Sequence, residues 1–333
     1  MRFGPVPLAK AEGAILAHSV ALPAGRLRKG CILGPEEIAQ LRATGRTEVI
    51  AARLDADDLH EDAAAQTIAM ALVPDAEASG LDLRRVGTGR VNLHARSAGV
   101  VEVIAPRVDA LNAVDPMITL ATVPRWQRVK AGEMVATVKV IAYGVARVSV
   151  DAACSAGASA LRLHPARLTR VALVETHIDP AARPLKAGAI TDRLAALDAT
   201  LTTHLHSPHR EADLAATLAG VSGADLILIL TASATSDAQD VAPAALRRAG
   251  GQVDRFGMPV DPGNLLFLGS LGTTPVIGLP GCVRSPALNG ADWVMERLIC
   301  GLPVTAADIA GMGVGGLLKE IPTRGRLREA KPE

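Results

Sequence analysis

The stretch Leu226-Ile227-Leu228-Ile229-Leu230, followed by Thr231-Ala232-Ser233-Ala234-Thr235-Ser236-Asp237-Ala238-Gln239-Asp240, decides the fold. An unbroken apolar run this short reads as a strand buried on both faces. The residues behind it are small, hydroxylated or acidic, and there are more of them than a tight turn needs. Asp240 is placed to cap a helix, with Pro243 tolerated in its first turn. Val241 to Ala249 has helical spacing and closes on Gly250-Gly251. The same alternation recurs outward. Upstream lie a helix pattern at Glu211 to Val221, a strand at Leu201 to Leu205, a helix pattern at Ala189 to Thr200 and an apolar strand at Val171 to Glu175. Downstream, Pro275-Val276-Ile277 leads into Gly278-Leu279-Pro280-Gly281. Continuous apolar strands between amphipathic helices predict a three-layer α/β/α domain with a mostly parallel sheet.

Before this region the pattern differs. Gly34-Pro35-Glu36-Glu37 opens a helix with Pro near its first position and carboxylates at its positive end, and Gly45 is placed to close it. Glu48-Val49-Ile50 reads as a strand and Asp58 to Leu72 as an acid-started helix, ended by Val73-Pro74-Asp75. From Gly87 to Val150 come short runs rich in Val, Ile and Thr: Gly99 to Ile104, Met117 to Val123, Met134 to Ile141 and Ala146 to Val150. They predict an α+β domain with a small antiparallel sheet or barrel. His164-Pro165-Ala166-Arg167 reads as a linker. The expected organisation is an N-terminal domain over 1–165, an α/β domain over 166–320 and a disordered tail over 321–333, in keeping with 333 residues at about 150 per domain.

Composition narrows the partners. Thirty-five Lys and Arg against thirty-four Asp and Glu leave a net charge of +1, so no global field gathers phosphate backbones. With only Phe3, Phe256, Phe267, Trp126, Trp293 and Tyr143 as aromatics, there is no platform on which bases can stack. Nucleic acid is therefore not an expected partner. No apolar stretch approaches the roughly 20 residues of a membrane helix, and the start lacks the apolar core of a signal peptide, so a cytoplasmic protein is expected. Cys31, Cys154, Cys282 and Cys300 lie far apart and form no Cys-x-x-Cys.

In open α/β sheets, ligands bind outside the carboxyl ends of the strands. That directs attention to four loops: Glu175 to Asp179, Ser207 to Glu211, Thr231 to Asp240 and Gly278 to Ser285. Each joins a predicted strand end to a predicted helix start, where backbone N–H groups and the helix dipole favour an anion. A capped connection with solvated hydroxyls accounts for the third loop equally well from pattern alone.

These loops carry a resemblance. The second domain, over about Arg170 to Gly301, is similar to the molybdopterin-binding domain shared by molybdopterin adenylyltransferase, molybdopterin molybdotransferase (the MogA and MoeA group) and gephyrin. Thr176 stands where that family has Thr-Gly after its first strand, and Asp192 where it has an Asp-Ser-Asn-like segment. Thr231 to Asp240 aligns on a Thr-Gly-Gly-Thr-Gly loop and its closing Asp. Val260-Asp261-Pro262-Gly263-Asn264 occupies the place of a Lys-Pro-Gly-Lys turn, and Gly278-Leu279-Pro280-Gly281 with Ser285 matches the Gly-Leu-Pro-Gly signature. More loosely, Gly89-Arg90-Val91-Asn92-Leu93, Val108 to Asn112, Met134 to Lys139 and Asp308 to Gly313 resemble bacterial proteins in which this module precedes a MobA-like nucleotidyltransferase that attaches CMP or GMP to molybdopterin. On that resemblance the chain is a stand-alone form or a fragment of the longer protein.

The resemblance implies a molybdenum-cofactor biosynthesis protein that binds molybdopterin or its nucleotide form. Thr176, Thr231, Ser233, Ser236, Gly278, Gly281, Arg284 and Ser285 would bind it, Asp240 and the weaker helper Asp192 would be catalytic, and Asp240 would hold Mg²⁺. A separate MobA-like nucleotidyltransferase and self-association into a homo-oligomer are the implied partners. The departures bear on chemistry. Ala232, Ser233 and Thr235 replace loop glycines, and each added Cβ narrows a phosphate's approach to the backbone. Asp261 and Asn264 replace both turn lysines, and His209-Arg210 replaces an acidic pair. Adenylyl transfer and molybdate insertion are therefore less expected than binding, and a non-catalytic scaffold, or a relative binding another nucleotide, stands as the alternative.

The remaining motifs have plain structural readings. Asp261-Pro262-Gly263-Asn264 fits a type II turn. His204-x-His206-x-x-His209 suggests metal, but alternation puts only His204 and His206 on one strand face, and no carboxylate ligand is evident. Gly311-x-Gly313-x-x-Gly316 matches a dinucleotide fingerprint but lacks the preceding strand, and is expected to end a Thr305 to Ala310 helix. Cys282 has no base tied to it by sequence.

Overall fold

The computed structural model describes residues 1–179 and 187–318. They form two compact units: residues 1–97 with 101–163, and 98–100 with the chain from 164 onward. The expected tail, 321–333, lies outside the described residues. Among the described residues, no helix is long and apolar enough to cross a membrane.

The second unit is built on one mixed sheet. In chain order its elements are β1 (Arg170–His177), α1 (Gly188–Ala195), β2 (Thr200–Pro208), α2 (Glu211–Ala219), β3 (Leu226–Leu230), α3 (Val241–Arg248), β4 (Gln252–Phe256), β5 (Phe267–Leu271), β6 (Thr274–Leu279), α4 (Gly290–Ile299) and α5 (Ala306–Ala310). The strand order is β2-β1-β3-β6-β5-β4. β1 pairs in parallel with β2 and β3, and β3 in parallel with β6. β5 and β4 complete the sheet antiparallel. All of β3 is buried, as is β1 from Val171 to Thr176, which is why both read as unbroken apolar runs. Helices α2 and α3 cover one face over a core of Ala172, Val174, Leu218, Ile229, Leu246 and Phe267. Helices α1 and α4 belong to the other face.

From β1 the chain moves to β2 on one side, then crosses to β3 on the other. The reversal leaves a crevice between the carboxyl ends of β1 and β3, the position where open α/β sheets hold ligands.

Two features of this unit differ from expectation. The helix expected over Ala189 to Thr200 stops at Ala195, and Thr200 already belongs to β2. The β4–β5 hairpin has no counterpart in the sequence reading. β4 carries Asp254 and Arg255 and is nowhere fully buried, and β5 is interrupted by Gly269. That glycine is required: a Cβ on it would stand 2.1 Å from the Gln252 carbonyl oxygen.

The first unit contains an antiparallel sheet of Arg2–Pro7, Glu48–Arg53 and Ile15–Leu16 over a core of Leu8, Leu16, Leu33, Leu41 and Val49. The helix Pro35–Ala43 packs on it, and Gly45 follows its end at φ +77°. A second sheet, open and antiparallel, has four strands in the order Ile118–Thr122, Met134–Val140, Arg90–Ala95, Leu81–Arg85. The sheet, not the barrel, is thus the form adopted. Two local expectations fail. Asp58–His60 is a strand paired with Gly144–Ala146, so the following helix runs from Glu61 to Leu72. The strand expected at Ala146 to Val150 is instead the start of a helix, Arg147–Gly157. Val150, Ala153 and Gly157 are its buried positions, a helical spacing that outweighs the local β-branched residues. Gly157 lets the helix close on its neighbour, because a Cβ there would lie 2.5 Å from Leu111 Cδ1.

Candidate functional site

The crevice is tied together by Thr176, the buried penultimate residue of β1. Its hydroxyl accepts from the Ala232 backbone N–H at 2.8 Å and meets His209 Nδ1 at 2.9 Å. The His209 N–H in turn donates to the His177 carbonyl at 2.8 Å. One short side chain therefore joins the ends of three strands, and its hydroxyl holds the loops rather than standing free.

The central loop folds on its own side chains. Thr231 and Thr235 are buried, their hydroxyls 3.3 Å apart, whereas Ser233 and Ser236 are exposed. Asp240 caps α3: one carboxylate oxygen accepts from the Val241 N–H at 2.7 Å, the other from the Ser236 N–H at 3.0 Å. The Ser236 N–H, expected to face a ligand, is committed to this cap.

The Gly278 to Ser285 segment contributes in two ways. Gly278 is buried beneath Phe267, where a Cβ would fall 1.9 Å from the ring, so its lack of a side chain serves packing. Past Pro280 the chain makes a single 3-10 turn, Gly281–Arg284, with Gly281 exposed. The Arg284 guanidinium donates to the Thr231 carbonyl at 2.8 Å, linking this turn to the central loop. The Ser285 hydroxyl accepts from the Ala287 N–H at 3.2 Å.

The residue that holds this turn was not anticipated. Arg193 of α1 is 11% exposed; its guanidinium donates to the carbonyls of Ala189 (2.9 Å), Val283 (3.0 Å), Ser285 (2.8 Å) and Ala287 (2.8 Å) and pairs with Asp292. Asp292 also accepts from the N–H of buried Asn289, which caps α4. In sequence Arg193 resembles any charged residue on an amphipathic helix. Its neighbour Asp192, the expected catalytic helper, is exposed on that helix and has no part in this network.

The turn at Asp261 to Asn264 is not type II, because the Asp261–Pro262 peptide is cis. The Pro262 carbonyl accepts from the Gly290 N–H at 2.9 Å, and a Cβ on Gly263 would stand 2.6 Å from that nitrogen, so the turn packs on the start of α4. The Gly311 to Gly316 run is likewise structural. It follows α5 directly, and a Cβ on Gly316 would meet the Pro259 carbonyl at 2.5 Å.

The histidine reading needs correction. His209 bonds to Thr176, while His204 and His206 lie together on the opposite face of the sheet, their ring centroids 4.5 Å apart. A carboxylate does face them: Glu175 Oε2 is 3.1 Å from His204 Nε2 and 3.8 Å from His206 Nδ1. It arrives from the neighbouring strand, which spacing within β2 cannot reveal. As for thiols, burial pushes Cys300 up to about 12, well outside nucleophilic range.

Residues 5–53 match a family model described as a domain of unknown function, DUF8806. No curated protein matches the chain. Among solved structures, the molybdopterin biosynthesis MoeA protein of Pyrococcus horikoshii is similar at 13% identity and a TM-score of 0.28, over 94% of this chain and 76% of that one. Molybdenum cofactor biosynthesis protein B is similar at 16% identity and a TM-score of 0.29, over 41% of this chain and 91% of its own. A molybdenum cofactor biosynthesis protein of Pyrococcus furiosus gives 11% identity and 0.24, over 93% and 65%. Likeness at this level assigns no family, and a functional reading rests on the residues at the strand ends.

Proposed function

We propose that this protein serves molybdenum-cofactor biosynthesis by holding molybdopterin or its nucleotide form over the crevice between β1 and β3. The observation that carries the reading is the Arg284–Thr231 hydrogen bond, which brings the Gly278 to Ser285 turn and the central loop to one place at the switch point of the sheet. A guanidinium has five N–H donors, so Arg284 keeps a fork for a phosphate oxygen while it holds the loop. The exposed hydroxyls of Ser233 and Ser236 suit the polar edge of a pterin or a ribose.

Mg²⁺ enters this reading only with the ligand's phosphate. Each Asp240 oxygen accepts one backbone N–H and keeps a further lone pair, which suits one carboxylate on an ion that otherwise keeps water and phosphate ligands. The same two bonds favour a second reading, a non-catalytic module that presents the pterin to a separate MobA-like nucleotidyltransferase, since Asp240 already has the work of a helix cap.

The test is purification from cells able to make the cofactor, followed by oxidation and pterin fluorescence. Wild type is expected to carry pterin or to bind added molybdopterin, with Arg284→Ala about ten- to a hundredfold weaker, as for loss of a hydrogen bond to a charged group. No pterin and no binding by wild type overturns the proposal. Pyrophosphate release from ATP or CTP with Mg²⁺ separates the readings: its loss in Asp240→Asn marks an enzyme, its absence in wild type a scaffold.

A further inference from the structure

We infer that Glu175, His204 and His206 form a binding site for one divalent transition-metal ion of the zinc class, independent of the pterin reading. Glu175 precedes Thr176 by one residue, so strand alternation turns it to the other face of the sheet. In the parallel register Glu175 lies beside His206, and Leu173 beside His204, so the carboxylate and both imidazoles share that face.

The spacing suits a metal. With bonds of about 2.0–2.1 Å, the ligand atoms of a tetrahedral zinc site stand about 3.3–3.4 Å apart. The two nitrogen-to-oxygen distances are 3.1 and 3.8 Å, on either side of that value, and all three ligand atoms lie within 4.8 Å of one another.

Burial points the same way. The Glu175 side chain is 5% exposed, so bulk water competes little for its carboxylate oxygens. Both rings aim a nitrogen at the same oxygen. The rings stand 4.5 Å apart, and a single divalent ion gives the carboxylate oxygen and both ring nitrogens a common partner. Exposure rises outward, from Glu175 through His204 at 26% to His206 at 37%. Among the described residues β2 is the edge strand, and its partly exposed histidines leave room for water as the fourth ligand. Two imidazoles and one carboxylate select zinc, cobalt, nickel or copper over magnesium or calcium.

The test uses the full chain, freed of metal with a chelator and titrated with Co²⁺. The expected result is one Co²⁺ per chain with visible ligand-field bands of four-coordinate cobalt, displaced by Zn²⁺. His204→Ala and His206→Ala each weaken binding at least tenfold. His206 is on the exposed side, so its variant is expected to keep the wild-type circular dichroism spectrum. Asp254→Ala, exposed on β4 at the opposite edge of the sheet, leaves the titration unchanged. Wild type that takes up neither ion at micromolar concentration overturns the proposal. So does binding that survives His206→Ala, and so does a thiolate charge-transfer band, which assigns the metal to a cysteine.

Discussion

Glu175 and Thr176 are adjacent in sequence and face opposite sides of one sheet, and the two surroundings obey different rules. On the Thr176 side, hydroxyls and backbone groups satisfy one another: Thr176 with Ala232 and His209, Thr231 with Thr235, Asp240 with Ser236 and Val241. Such a network fixes the shape of loops without needing an external charge. On the Glu175 side, a buried carboxylate faces two imidazole rings from the neighbouring strand. The first side positions loops; the second gathers one oxygen and two nitrogens within 4.8 Å of one another.

The strongest way to break the contrast is Arg193→Ala. Arg193 and Asp292 belong to the α1 and α4 face, and truncation leaves the 5% exposed Asp292 carboxylate without its cation while releasing four carbonyls. Loss of about 3–5 kcal/mol in urea unfolding is expected, as for a broken buried ion pair. A change under 1 kcal/mol would mean the network is not held in solution. Thr176→Val is the sharper instrument. It should cost about 1–3 kcal/mol by leaving the Ala232 N–H unsatisfied, and should reduce pterin binding while Co²⁺ binding stays at the wild-type level. Parallel loss of both would show the faces to be one coupled site.

The smallest effect lies away from both faces and calibrates them. Asp308 completes the capping box whose N-cap is Thr305, at the start of α5, and is held down at about 2 by its hydrogen bond to Thr305, then by Arg297. Because its folded value lies below the ordinary one near 3.8, its stabilisation is full above about pH 4 and disappears as pH falls through about 2. Its side chain is 36% exposed, so solvent screens most of the contribution. Wild type and Asp308→Ala should differ by about 1 kcal/mol or less at pH 7 and converge towards pH 2 in chemical denaturation. A gap that persists there would rule out titration of Asp308 as its source.

The parallel core was legible because burial on both faces leaves no polar positions in β3 or most of β1, and helix ends were legible where Gly45 or Asp240 perform local chemistry. What escaped depends on partners far along the chain. Glu175 meets His204 across 29 positions, and Arg193 meets Asp292 across 99. A buried arginine on a helix reads like a solvated one, and a carboxylate at a strand end reads like a loop acid. The Arg147–Gly157 helix is hidden in the sequence because two β-branched residues outweigh, locally, an alanine-rich continuation whose burial is set only by packing.

The fit of Gly278 beneath Phe267 bears on what a motif records. The Gly-Leu-Pro-Gly stretch invites interpretation as a ligand signature, yet its first glycine is half of an aromatic-on-glycine joint between β6 and β5. The two residues form a single unit of inheritance: a larger residue at 278 demands a smaller one at 267, and a compensated pair could erase the signature while leaving the crevice and any ligand untouched. What ties the two loops together is the Arg284–Thr231 hydrogen bond, not the glycines that frame it.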